Sequence, residues 1–224
     1  MIISLHIPKT AGKSFKASLI KSYGSNIVFD YGANPQKQNK FSLLNQLLVF
    51  KLKLFSGSEK IVHGHFCLDK YKNFPSSCPR ICFAREPLSL FTSFYDYVNL
   101  KFREDPKLQF FYSKVIKSKL EDFLLSSYTQ NFYSRMFGSF DYRKFYFIGV
   151  VEKYEQSLNI YNKLFGTNLL PEHRNKTSTM GKGISDCSSL SEDFKTKFKS
   201  FHKFNYEFYN YALNRLENKK YDKK

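Results

Sequence analysis

The chain has 224 residues, which suits one domain with a full core, and its 42% apolar content with 25 Phe and 16 Tyr excludes a disordered polymer. A formal charge of +17 points to an anionic cofactor, an anionic acceptor or both, although a compositional bias toward Lys, Asn, Tyr and Phe accounts for it equally well. Cys67, Cys78, Cys82 and Cys187 form no CxxC pair and no metal-ligand spacing with histidine, so they read as free thiols in a reducing compartment. No apolar run is long enough to span a membrane and no leader is visible ahead of the first strand, so a cytoplasmic protein is expected.

Met1 to Leu5 reads as a strand and Lys16 to Ile20 has helical spacing; His6-Ile7-Pro8-Lys9-Thr10-Ala11-Gly12-Lys13-Ser14-Phe15 lies between them. A strand, a tight basic loop and a helix in that order aim backbone amides and the positive end of a helix dipole into the loop, which favours a phosphate-like anion. Gly12 permits close approach of the backbone, while Lys9, Lys13 and the Ser14 hydroxyl offer further contacts.

Asn26 to Asp30 is a second short strand, and residues 41–55 form an apolar, Lys-dotted helix ended by Ser56-Gly57-Ser58. Lys60 to Phe66 is a strand running into a loop, carrying His63-Gly64-His65 to its end. Pro79 to Ala84 is the strongest strand of the middle section. Arg85-Glu86-Pro87 breaks it, with Pro87 at the first helical position, and Leu90, Phe91, Phe94, Tyr95 and Val98 then make a core-facing stripe. Basic, aromatic helical pieces run from about 107 to 136. Phe145 to Val151 is an apolar run of the kind buried on both faces of a parallel sheet. A helix over 154–164 is closed by Gly166, residues 167–186 form a polar loop, and one helix covers 191–216. The pattern predicts a single α/β domain over 1–218, with a central parallel sheet of four to five strands flanked by helices, and a solvated basic tail at 219–224.

Gly12-Lys13-Ser14 fits the end of the nucleotide P-loop G-x-x-x-x-G-K-[ST], but Ile7 stands where its first glycine belongs. The full string instead resembles the 5′-phosphosulfate loop of Golgi-type carbohydrate sulfotransferases, close to H-I-P-K-T-A-G-T-S, with Lys13 in place of the usual Thr. Arg85, with Ser93 eight residues on, resembles the 3′-phosphate clamp of that family. His63-Gly64-His65 resembles the H-G-H of the heparan and dermatan sulfate 2-O-sulfotransferases, whose second histidine is the proposed base. Weaker matches follow in order: Asn131 to Arg135 to an N-x-Q-T-R segment, Phe147 to Lys153 to an I-G-x-x-E-[RK] strand end, Asn175-Lys176-Thr177 to a nucleotide-covering loop, and Asn205 to Ala212 to the last helix.

The resemblance implies a P-loop-like fold and transfer of a sulfuryl group from 3′-phosphoadenosine 5′-phosphosulfate (PAPS) to a hydroxyl, expected on a carbohydrate, with adenosine 3′,5′-bisphosphate (PAP) as product. It assigns Lys9 and His65 to catalysis; Lys9, Thr10, Ala11, Gly12, Lys13, Ser14, Arg85, Ser93 and Lys182 to the nucleotide; and His63 and Arg135 to the acceptor. No metal and no nucleic-acid partner is expected. Glu152 and the last helix read as packing. Two rival readings stand beside it. One is a P-loop kinase with Asp30 as the magnesium carboxylate; the other is a non-catalytic polyanion-binding protein.

Overall fold

In a computed structural model describing residues 1–31, 61–101, 115, 117–172, 189–218 and 221, the first strand, β1 (Ile2–Leu5), is buried along its whole length. It lies between two neighbours. β3 (Ile61–Gly64) pairs with it from Ile2↔Ile61 to Leu5↔Gly64, and β4 (Arg80–Ala84) from Ile3↔Arg80 to Leu5↔Cys82. β2 (Ile27–Asp30) flanks β3 and β5 (Phe147–Val150) flanks β4, giving a parallel sheet in the order β2-β3-β1-β4-β5. The apolar runs expected to be strands fold as strands because four of the five are buried along their whole length, which favours apolar side chains. β2, at one margin, is partly exposed.

Eight helices accompany the sheet among the described residues: α1 (Gly12–Tyr23), α2 (Pro87–Lys101), α3 (Leu120–Leu124), α4 (Ser127–Gln130), α5 (Phe132–Phe137), α6 (Tyr154–Phe165), α7 (Glu192–Phe201) and α8 (Lys203–Glu217). Pro87 opens α2, and Gly166, left-handed at φ 63°, closes α6. The chain leaves β1 through α1 for β2 at one margin, while β4 lies on the other flank of β1. Such a divergence opens a crevice at the carboxyl ends of the strands, where ligands bind in open α/β sheets.

Two expectations are corrected. The single helix over 191–216 is two, because His202 leaves helical geometry between α7 and α8. Its fully buried imidazole takes the Asn205 amide N–H on Nδ1 at 2.8 Å and donates from Nε2 to the Leu124 carbonyl at 2.7 Å, contacts that a continuous helix would not dictate. Tyr221, in the stretch read as a solvated tail, is buried, and its hydroxyl accepts the Ile148 N–H and donates to the Ile148 carbonyl. The Ser157 hydroxyl does the same for Val150. The helix expected over 41–55, Lys182 and Asn175-Lys176-Thr177 lie outside the described residues.

Candidate active site

The loop after β1 is built from two left-handed residues that are not glycine, Lys9 at φ 67° and Ala11 at φ 59°. Each costs roughly 1–3 kcal/mol, and such strain gathers at ligand-binding turns. Between them the Thr10 N–H donates to the Ile7 carbonyl at 3.4 Å, closing a tight turn ahead of α1. Ala11 takes the N-cap position of α1 without a side-chain bond to the helix, and the first turn carries no acidic residue. The positive end of α1 is therefore left to a ligand. Thr10 is buried, with its hydroxyl donating to the Ile7 carbonyl at 2.8 Å, so its side chain shapes the loop.

The Lys9 ammonium lies 4.3 Å from the centre of the Tyr97 ring, and the Lys13 ammonium 6.0 Å from the same ring. Burial first, then the neighbouring Arg85 and Lys13 charges, lower the Lys9 pKa to about 8, against an opposing pull from Asp96. Tyr97 and Asp96 both belong to α2. Ser93, half-buried, precedes them by four and three residues, so it shares their face of the helix toward the loop.

Arg85 follows the last residue of β4 and donates from Nη1 to the Lys9 carbonyl at 3.1 Å, joining the two halves of the site. The turn behind it is held by four side chains. The Tyr133 hydroxyl bonds both main-chain groups of Arg85, Glu152 accepts the Glu86 N–H at 3.0 Å, and the Glu86 carboxylate takes the Tyr206 hydroxyl at 2.6 Å and the Ser89 N–H at 2.7 Å. Glu152 and the last helix thus sit behind the site, holding the Arg85 turn.

At the end of β3 the imidazoles of His6, His63 and His65 stack, with ring centres 4.1 Å apart for His6–His65 and 5.1 Å for His6–His63. His65 is partly exposed, and its Nδ1 lies 2.6 Å from the His6 carbonyl oxygen, which can only accept. Nδ1 therefore carries the proton and Nε2 presents a lone pair. Burial lowers the His65 pKa, the bond to His6 opposing, so the ring is neutral at physiological pH. His6 bonds the Tyr31 hydroxyl through Nδ1 at 3.1 Å and packs so closely over Gly12 that a Cβ there would come 1.6 Å from Nε2.

The structure separates the two histidines of the H-G-H string. His63 is 1% exposed, opposite Ser4 in the sheet, and bonds the Ser4 hydroxyl at 2.9 Å through Nδ1. Expected at the acceptor, it is instead a core residue, because it lies within β3, buried along its whole length, whereas His65 stands just past the strand end. Arg135, also expected at the acceptor, spends its guanidinium on the Ser127 carbonyl at 3.1 Å and on that of Tyr128, securing the short helices α4 and α5. His6, Tyr97 and Tyr133 carry contacts that sequence reasoning had not assigned. The signal for His6 was its place in the loop string, and for Tyr133 its place in the Asn131 to Arg135 segment; Tyr97 had none.

The stacked imidazoles do not converge on a point, and no group of three or more His, Cys, Asp or Glu among the described residues is arranged to hold a metal ion. Asp30, the carboxylate required by the kinase reading, ends β2 with the Lys70 ammonium at 2.5 Å and the Tyr71 hydroxyl at 2.6 Å, both on Oδ2.

Among solved structures, the mouse sulfotransferase SULT7A1, determined in complex with PAP, matches with a TM-score of 0.50 and 11% identity, over 99% of this chain and 88% of that one. A sulfotransferase from Alicyclobacillus acidocaldarius matches with a TM-score of 0.48 and 11% identity over 95% of each chain. Neither a protein-family model nor a curated protein matches the sequence. At such identity the first likeness concerns the fold. The chain has the α/β fold of a sulfotransferase, a five-stranded parallel sheet flanked by helices.

Proposed function

We propose that the protein transfers a sulfuryl group from PAPS to the hydroxyl of an acceptor, a carbohydrate by the resemblance of its motifs. The observation that carries the reading is the crowding of Lys9, Lys13 and Arg85 around the uncapped start of α1, where burial first and then repulsion from Arg85 and Lys13 lower the Lys9 pKa to about 8. Three cations held that close are relieved by a multiply charged anion, and a nucleotide with phosphates at both ends supplies one to each half of the site. The fold shared with a sulfotransferase that binds PAP supports the choice of donor. Lys182, on the polar loop over 167–186, is a further phosphate contact in this reading.

In this scheme the acceptor oxygen attacks sulfur in line as the bond from sulfur to the 5′-phosphate oxygen breaks. The acceptor proton passes to Nε2 of His65, the free lone pair of a ring whose tautomer the His6 carbonyl fixes. Lys9 and the amides at the start of α1 stabilise the charge left on the phosphate oxygen. Arg85 and Ser93 hold the 3′-phosphate and so select the donor against ATP.

Titration calorimetry tests the donor: PAP binds without magnesium and more tightly than ATP, whereas magnesium-dependent ATP binding without affinity for PAP would favour a kinase. Heparin binding with a steep salt slope and no response to PAP would favour a polyanion-binding protein. With labelled PAPS and a glycan panel, His65→Ala lowers kcat by about 10²–10⁴-fold and leaves PAP affinity intact. An unchanged kcat would place the base elsewhere.

A further inference from the structure

We infer that Tyr133 is a positioning residue that sets donor selectivity by locking the main chain of Arg85. The inference rests on the reading of Arg85 as the 3′-phosphate clamp. The Tyr133 hydroxyl accepts the Arg85 N–H at 2.9 Å and donates to the Arg85 carbonyl at 2.9 Å, so one oxygen closes both main-chain groups of that residue. This is where the chain has left β4 and not yet entered α2, so Arg85 belongs to neither element. A long side chain projects in a direction set by its own φ and ψ, and a bond to the N–H and to the C=O restrains both.

The clasp is itself rigid. Tyr133 is fully buried, its ring packed on Phe208 at 4.7 Å and Phe137 at 6.0 Å between centres, and its N–H donates to Asn205 of α8 at 3.4 Å. Burial pushes the Tyr133 pKa well up, which keeps the phenol protonated and able to donate. With the neighbouring Glu86 held by Glu152 and Tyr206, the whole turn is fastened from behind, and the Arg85 side chain reaches forward to the Lys9 carbonyl.

Tyr133→Phe removes one oxygen and keeps the ring, leaving two main-chain groups of Arg85 without their partner. The readout is the ratio of affinities for PAP and for adenosine 5′-monophosphate, which lacks the 3′-phosphate. The wild type prefers PAP; Tyr133→Phe weakens PAP about tenfold, the loss expected for one to two hydrogen bonds, and changes the monophosphate by less than about twofold. The KM for PAPS rises in step while kcat holds. Equal weakening of both nucleotides would mark a merely structural tyrosine and overturn the inference, as would an unchanged ratio. A wild type that does not prefer PAP would instead overturn the reading of Arg85 itself. If Tyr133→Phe fails to fold, Tyr206→Phe, which frees the same turn from its half-buried side, must lower the ratio about threefold; an unaltered ratio there overturns the inference too.

Discussion

With its backbone at φ 67° and its ammonium over the Tyr97 ring, Lys9 is held where an ammonium gains from the ring face yet loses more to burial and to Arg85 and Lys13. The net lowering to about 8 means that the unliganded site is destabilised by this charge. Between pH 8 and the unfolded value of 10.5 the unfolded chain holds a proton that the folded one has released, so stability rises with pH across that window. Lys9→Met removes the penalty. Its melting temperature is expected to exceed the wild type's at pH 7, by roughly 2–4 °C per kcal/mol recovered, with the gain constant below pH 8 and vanishing by 10.5. The same variant should lose about 10²-fold or more in kcat. A Lys9→Met protein less stable than the wild type at pH 7 would show that the cations are not in conflict.

At the scale of elements, the start of α1 packs through Gly12 on His6, the residue that follows β1 and stacks on His65 past the end of β3. Because a Cβ at Gly12 would stand 1.6 Å from His6 Nε2, Gly12→Ala must push the imidazole off its stack with His65. The expected cost is about 1–3 kcal/mol by urea denaturation, as for other overpacked sites. His6→Ala clears the space, so the double variant should be more stable than the sum of the two single changes predicts. Strict additivity would mean the loop moves rather than the ring.

Much of this arrangement was legible from residue order. Strands buried on both faces announce themselves as apolar runs, and Lys9, Arg85 and His65 could be named because the strings that hold them resemble sulfotransferase motifs. What could not be read depends on contacts between distant segments. His63 and His65 look alike in sequence, and only the pairing of β3 with Ser4 of β1 shows which one is interior. The break at His202 is likewise set by a carbonyl 78 residues away, at Leu124. Arg135 was assigned from its place in a matched segment, but its neighbours Ser127 and Tyr128 use the guanidinium first.

At the scale of the whole molecule, four histidines among the described residues resist protonation. Burial is the largest cause in each: His6 falls to about 2, His63 to about 3 and His202 to about 4, and His65 is lowered as well. The unfolded chain takes these protons near pH 6.5, so below that value it binds more protons than the folded chain, and stability falls as pH drops toward each folded value. The urea midpoint should therefore decline steadily from pH 7 to pH 4 with an unchanged m-value. A level midpoint over that range would mean the imidazoles find solvent in the folded state.

The outer strand β5 carries its own closure. Ser157 and Tyr221 occupy the main-chain groups of Val150 and Ile148, so the free margin of the sheet offers little for another strand to grip. One of the two plugs comes from beyond the last helix. A chain trimmed at the end of α8 would keep every described helix and strand yet uncover Ile148, and its failure would be self-association at that margin rather than unfolding. Fusion partners and tags joined at the carboxyl end therefore need a spacer that leaves Tyr221 free to seat.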